Sequence, residues 1–145
     1  MSLVDFMKIY EKGASGIIEG SVLISALKGI EYDHEICSYV NDEIQNQIGD
    51  LNPKKLNVLF KVAYVNPSNV FTESIVRFLI HSLNLSKDDL FNVIAEIEFS
   101  FTVLGMMKDK RAIPVLERYI SDPVSWDEGN IANAAKYGIR AINKS

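Results

Sequence analysis

The chain has 145 residues, with 48% hydrophobic and 23% charged side chains, which suits one folded domain and excludes disordered, collagen-like and low-complexity classes. A domain of this size buries roughly two-thirds of the surface its unfolded chain exposes, so a real core is expected without disulfides or metals. The formal net charge of −4 argues against a nucleic-acid partner, because phosphates are held by lysine and arginine that displace counterions. The one cysteine, Cys37, has no disulfide partner and no neighbouring cysteine for a zinc cluster, which points to a reducing, cytoplasmic setting.

The apolar positions recur every three or four residues almost throughout, the spacing of one helical stripe, and strict alternation is scarce. A first helix is expected over Leu3 to Lys12, with Leu3, Phe6, Met7 and Tyr10 on one face and Gly13 and Gly16 as its end. Its charges, beginning at Asp5, do not fit the basic start and apolar run of a signal peptide. A second helix is expected over Ile17 to Lys28, stopped by Gly29. Asp33 is placed to cap a third helix reaching Ile48, along which Ile36, Val40, Ile44 and Ile48 repeat at intervals of four.

Asn52 followed by Pro53 resembles a cap and first helical residue, and Leu56, Leu59, Phe60 and Ala63 continue that face. The stretch VNPSNV breaks the helix, and the next runs from Val70 to Leu83 with Ile75, Phe78, Leu79 and Ser82 inward. Ser86 with Asp89 has the spacing of a capping box ahead of a long helix over Lys87 to Met107. The uncharged run Phe99 to Met107 within it is far shorter than the roughly 20 apolar residues that cross a bilayer, so no membrane partner is expected. After the turn KDKR a helix follows over Ala112 to Ile120, then the interruption SDPVSWDEGN, then a last helix over Asn130 to Ile142.

The stretch LGMMKDKRAIPVLERYISDP, followed by IANAAKYGIRAI, resembles the HEAT-like repeat of phycobilisome lyases. The resemblance is carried by Leu104-Gly105, Asp109 with Arg111-Ala112, Pro114, Leu116, Asp122, and Ala134-Ala135 before Gly138. Gly105 and Gly138 stand close to one family unit of about 30 residues apart, with the Trp126 loop as a small insertion, and small residues there let adjacent helices approach closely. The resemblance implies an all-α chain built as a short right-handed α-solenoid of HEAT or armadillo type, of about seven helices in one domain over residues 1–145. It also implies that Asp109 and Arg111 are structural, since the family's turn Asp and Arg form hydrogen-bonded ladders between repeats.

No constellation for catalysis emerges. GASGI, Gly13 to Ile17, fails the G-x-S-x-G elbow and reads as a linker, and no Gly-Lys-Ser/Thr tripeptide marks a phosphate loop. His34 and His81 lack the helical partner of a zinc site, so neither a metal nor another cofactor is expected. Glu96 and Glu98, two apart on a helix, point about 200° away from each other and cannot share a substrate. Cys37, beside the line of Ile36 and Val40, is expected to pack as a small hydrophobe. Trp126, in a polar loop with Asp127 and Glu128, serves either as a lid on the last helix pair or as a binding anchor.

A helical stack without catalytic groups is expected to be a non-enzymatic module that grips another protein on a ladder of second helices. Those helices offer Glu35, Tyr39 and Asp42, then Glu73, Arg77 and His81, then Glu117 and Arg118, with Trp126, Asp127 and Glu128 in the loop. The acidic balance suits a basic partner. The expected function is therefore an immunity protein or inhibitor that masks a basic bacterial toxin domain, such as a secreted nuclease; the alternative is a scaffold or assembly chaperone.

Overall fold

A computed structural model describes residues 2–121 and 130–144. Among them lie eight α-helices and no strand, so the chain is all-α: α1 (Leu3–Ala14), α2 (Gly20–Lys28), α3 (His34–Gly49), α4 (Pro53–Val65), α5 (Thr72–Ser82), α6 (Lys87–Met107), α7 (Ile113–Ser121) and α8 (Asn130–Asn143). They divide into two compact units, Met1–Pro67 and Ser68–Ser145.

In the first unit α4 is the central helix, touching α1, α2 and α3. That position follows from its sequence: Leu56, Val58, Leu59, Phe60, Val62 and Ala63 are all buried, so it is apolar over most of its circumference. The caps set the register. Ser2 and Asp5 close a capping box at α1, the Asp33 carboxylate accepts from the Ile36 amide at 2.9 Å, and Asn52 accepts from Lys55 at 3.1 Å, ahead of Pro53. Asn52's own amide donates to the buried Gln47 side chain at 2.7 Å, which ties the end of α3 to the start of α4.

Two boundaries differ from expectation. Gly13 does not end α1 but lies inside it, where an added Cβ would stand 2.8 Å from a Val58 methyl and 3.0 Å from Leu23. The glycine thus serves a close approach of α1 to α2 and α4. The turn instead comes at Gly16, with φ +80°, and α2 starts three residues late, at Gly20.

The second unit pairs α5 with α6 and α7, and packs α8 against both α6 and α7. Val93, Ile97, Phe101 and Leu104 form the buried stripe of α6, with Ser82 and Ser100 hydroxyls turned back onto carbonyls of their own helices. By length and composition α6 could cross a membrane, with a mean hydropathy of 1.5, but 44% of that window is buried within this protein. The crossing of α6 and α8 is close. A Cβ on Gly105 would meet that of Ala141 at 2.8 Å, and one on Gly138 would meet the Phe101 carbonyl at 3.1 Å. Tyr119 of α7 packs edge-on to Phe101, with centroids 5.2 Å apart, and donates its hydroxyl to the Leu79 carbonyl of α5 at 2.8 Å.

The helices expected from Val70 and from Ala112 each begin instead with a 3-10 turn, Asn69–Phe71 and Lys110–Ala112. One cause serves both. The preceding side chain, Ser68 or Asp109, accepts from the amide two residues on, which fixes a tight turn before the α-helix starts.

Candidate functional site

On α3 the three residues expected to meet a partner share one stripe. Glu35, Tyr39 and Asp42 follow at i, i+4 and i+7, with Asn46 continuing the line at i+11. Glu35, Asp42 and Asn46 are exposed and Tyr39 is half-buried. The surrounding sequence is one-sided: between Lys28 and Lys54 stand Glu31, Asp33, Glu35, Asp42, Glu43 and Asp50, and no lysine or arginine.

Tyr39 is also part of the packing. Its ring stands edge-on to Phe6 and to Tyr10, both centroids 6.1 Å away, so the side chain is held in place before any partner arrives. Burial raises its phenol pKa, and the carboxylates of Glu43 and Glu11 raise it further. Tyr10 is 3% exposed and its hydroxyl has no partner within hydrogen-bonding geometry. Burial, then the nearby Glu43 carboxylate, raises its pKa in the same way. Both phenols therefore stay protonated beside the carboxylates. Asn46 donates to Glu43 at 2.8 Å and orients that carboxylate.

The candidates of the second unit are engaged differently. Glu73 and Arg77 pair with each other at 2.5 Å across one turn of α5, both side chains well exposed. Paired with Arg77, Glu73 offers a partner little net negative charge. Arg111 holds Asp109 with two nitrogens, the shorter contact 2.6 Å, and donates onward to the Asn69 carbonyl at 3.3 Å. Its hydrogen bonds pull the Asp109 carboxyl down to about 2, against the burial that pushes it up. Asp109 and Arg111 thus join the two 3-10 turns of this unit. His81 is half-buried in the last turn of α5, and Glu117 and Arg118 are exposed on α7. Trp126, Asp127 and Glu128, with Asp122 of the repeat resemblance, lie outside the described residues.

Cys37 is buried, its thiol facing the Tyr32 carbonyl at 4.0 Å, and burial followed by the Asp33 charge raises its pKa. That is the setting of a packing residue rather than a nucleophile. His34 and His81 belong to different units, and among the described residues no three His, Cys, Asp or Glu side chains gather as metal ligands.

One surface was missed at the level of sequence. Helix α8 carries Lys136 and Arg140, with Lys144 one residue past its end, and no acidic residue, the opposite of α3. It borders a groove of about 810 Å³ against α6, walled by Phe99, Met106 and Tyr137 over a floor of Gly105, Gly138 and Ala141. The i, i+4, i+8 spacing of the three cations was the available signal. Comparison with protein-family models, curated proteins and solved structures finds no match to the chain.

Proposed function

We propose that the chain is a non-enzymatic protein-binding module that holds a basic partner on α3, as an immunity protein or inhibitor masks a basic toxin domain such as a secreted nuclease. The carrying observation is the α3 stripe: exposed Glu35 and Asp42 flank a preorganised Tyr39, in a stretch free of lysine and arginine. An arginine or lysine of the partner would find carboxylates on either side of an aromatic face, a combination that hastens encounter and anchors the contact. The reading places the protein in the cytoplasm and needs no cofactor.

A right-handed solenoid of HEAT type belongs to the same proposal. It is supported by the two matching 3-10 turns, the Arg111 link between them, and the glycine crossing of α6 and α8. A scaffold or assembly chaperone is the second reading, favoured by the opposite charges of α3 and α8, which suit more than one partner.

The test is affinity purification of the tagged chain from its native host, repeated with the Glu35→Lys/Asp42→Lys double variant. The immunity reading expects one stoichiometric basic protein, lost in the variant. Recovery of no stoichiometric protein, or of one indifferent to the charge reversal, defeats it; several substoichiometric proteins favour the scaffold.

A further inference from the structure

We propose that the groove between α6 and α8 is a second docking surface, built for an amphipathic helix of a partner protein with acidic residues at one end. This goes beyond the α3 reading and stands or falls independently of it.

The shape comes from the helix crossing. Because Gly105, Gly138 and Ala141 let the two backbones nearly touch, the surface there sinks to small residues, and larger apolar side chains rise on both sides. Tyr137 is 67% exposed and Met106 40%, high values for residues of this size beside a concave floor. Along α6 the exposed line Ala95, Thr102 and Met106 has helical spacing, and Phe91, 63% exposed, extends it one turn toward the start. From Phe91 to Met106 the stripe is about 22 Å long, four turns of helix. That length matches the apolar face of a helix of about 16 residues, read at i, i+3 or i+4, i+7, i+11 and i+14.

The charge fixes the kind of occupant. Lys108 and Lys144 stand together at one end of the groove, where the Lys108 ammonium donates to the Lys144 carbonyl at 2.7 Å. Arg140 does not line the groove but lies over the Tyr137 ring that walls it, 5.3 Å from its centroid. Among the described residues that line the groove, Glu98 is the one carboxylate. A chain of net charge −4 therefore presents a locally cationic groove, complementary to acidic residues placed beyond an apolar helix face. A bilayer surface would meet the same charges, but it is flat, and the concave floor favours a ridge that fits into it.

The experiment pans a random library of 16-residue peptides on the full-length chain and measures the selected peptide's affinity by fluorescence anisotropy. Tyr137→Ala and Lys144→Glu are compared with wild type, each checked for helix content by circular dichroism; both side chains are exposed, so folding should persist. Selected peptides should show apolar residues at i, i+3 or i+4, and i+7, with Asp or Glu at one end. Either variant should weaken binding at least tenfold, while Glu35→Lys/Asp42→Lys should leave it unchanged. Selection of basic or unpatterned peptides, or affinity insensitive to both groove variants, would overturn the proposal. So would an absence of selected peptides combined with Tyr137-dependent sedimentation on phosphatidylglycerol vesicles, which would assign the groove to a membrane surface.

Discussion

Replacing Gly105 by alanine sets two effects of opposite sign against each other. Gly105 sits inside α6, and in an open helix the change to alanine stabilises by about 1 kcal/mol through propensity alone. Here the new methyl would stand 2.8 Å from the Ala141 Cβ and 3.5 Å from the Gly138 carbonyl. Those atoms are fixed to backbone, so no rotamer change relieves the clash, and α8 must move outward. Overpacking of this kind costs about 1–3 kcal/mol, which gives a net loss of up to about 2 kcal/mol. Urea unfolding followed at 222 nm should show a lower midpoint at unchanged slope, and Tm should fall by several degrees. Adding Ala141→Gly to Gly105→Ala removes the clashing methyl, so the double variant should be more stable than the sum of the single effects by about 1 kcal/mol. Gly49→Ala has no neighbour within 4 Å and should stabilise slightly. A Gly105→Ala protein that gains stability as Gly49→Ala does, with no coupling to position 141, would falsify the close crossing.

Lys108 ends α6 in the left-handed region, with φ 54°, where a side chain costs roughly 1 kcal/mol relative to glycine; Lys108→Gly should therefore raise the urea midpoint despite losing the exposed bond to the Lys144 carbonyl. Tyr119→Phe keeps the ring against Phe101 but removes the donor to the Leu79 carbonyl, so stability should fall by about 1 kcal/mol by urea denaturation, and no change would mean the hydroxyl bond is not made. For Asp109 the sign follows from a carboxyl whose folded pKa, about 2, lies below its unfolded value of 3.8. Its contribution is present above pH 3.8 and lost as pH falls toward 2, so the advantage of wild type over Asp109→Asn should shrink over that window. A difference independent of pH would contradict the Arg111 pairing.

What the sequence made legible is what neighbouring residues decide among themselves. The caps at Asp33, Asn52 and Ser86 need only the next three amides, and the buried lines Ile36-Val40-Ile44 and Ile75-Phe78-Leu79-Ser82 follow from helical spacing. Gly13 was not legible because a glycine ends a helix or permits a close approach with equal ease, and Val58 and Leu23, distant in sequence, decide between them. The 3-10 turns were missed because Ser68 and Asp109 bond two residues on, a pattern that apolar periodicity does not record. Among the candidate site residues, Glu35 and Asp42 of α3 are exposed and Tyr39 is half-buried. Glu73 is instead paired with Arg77, one turn along the same helix. The cations Lys136 and Arg140 of α8 and Lys144 beyond its end stand at readable helical spacing, but a net charge of −4 does not reveal a local cationic side.

The central claim, a basic protein held on α3, is tested most directly by photo-crosslinking from that stripe. A benzophenone side chain in place of Asn46, exposed on the same face and outside the core, should give in native cells one dominant adduct to a single basic protein. Adduct formation should disappear when Glu35 and Asp42 are both changed to lysine. An adduct to an acidic protein, one that survives that reversal, or no adduct under conditions where a crosslinker on α8 forms one, contradicts it.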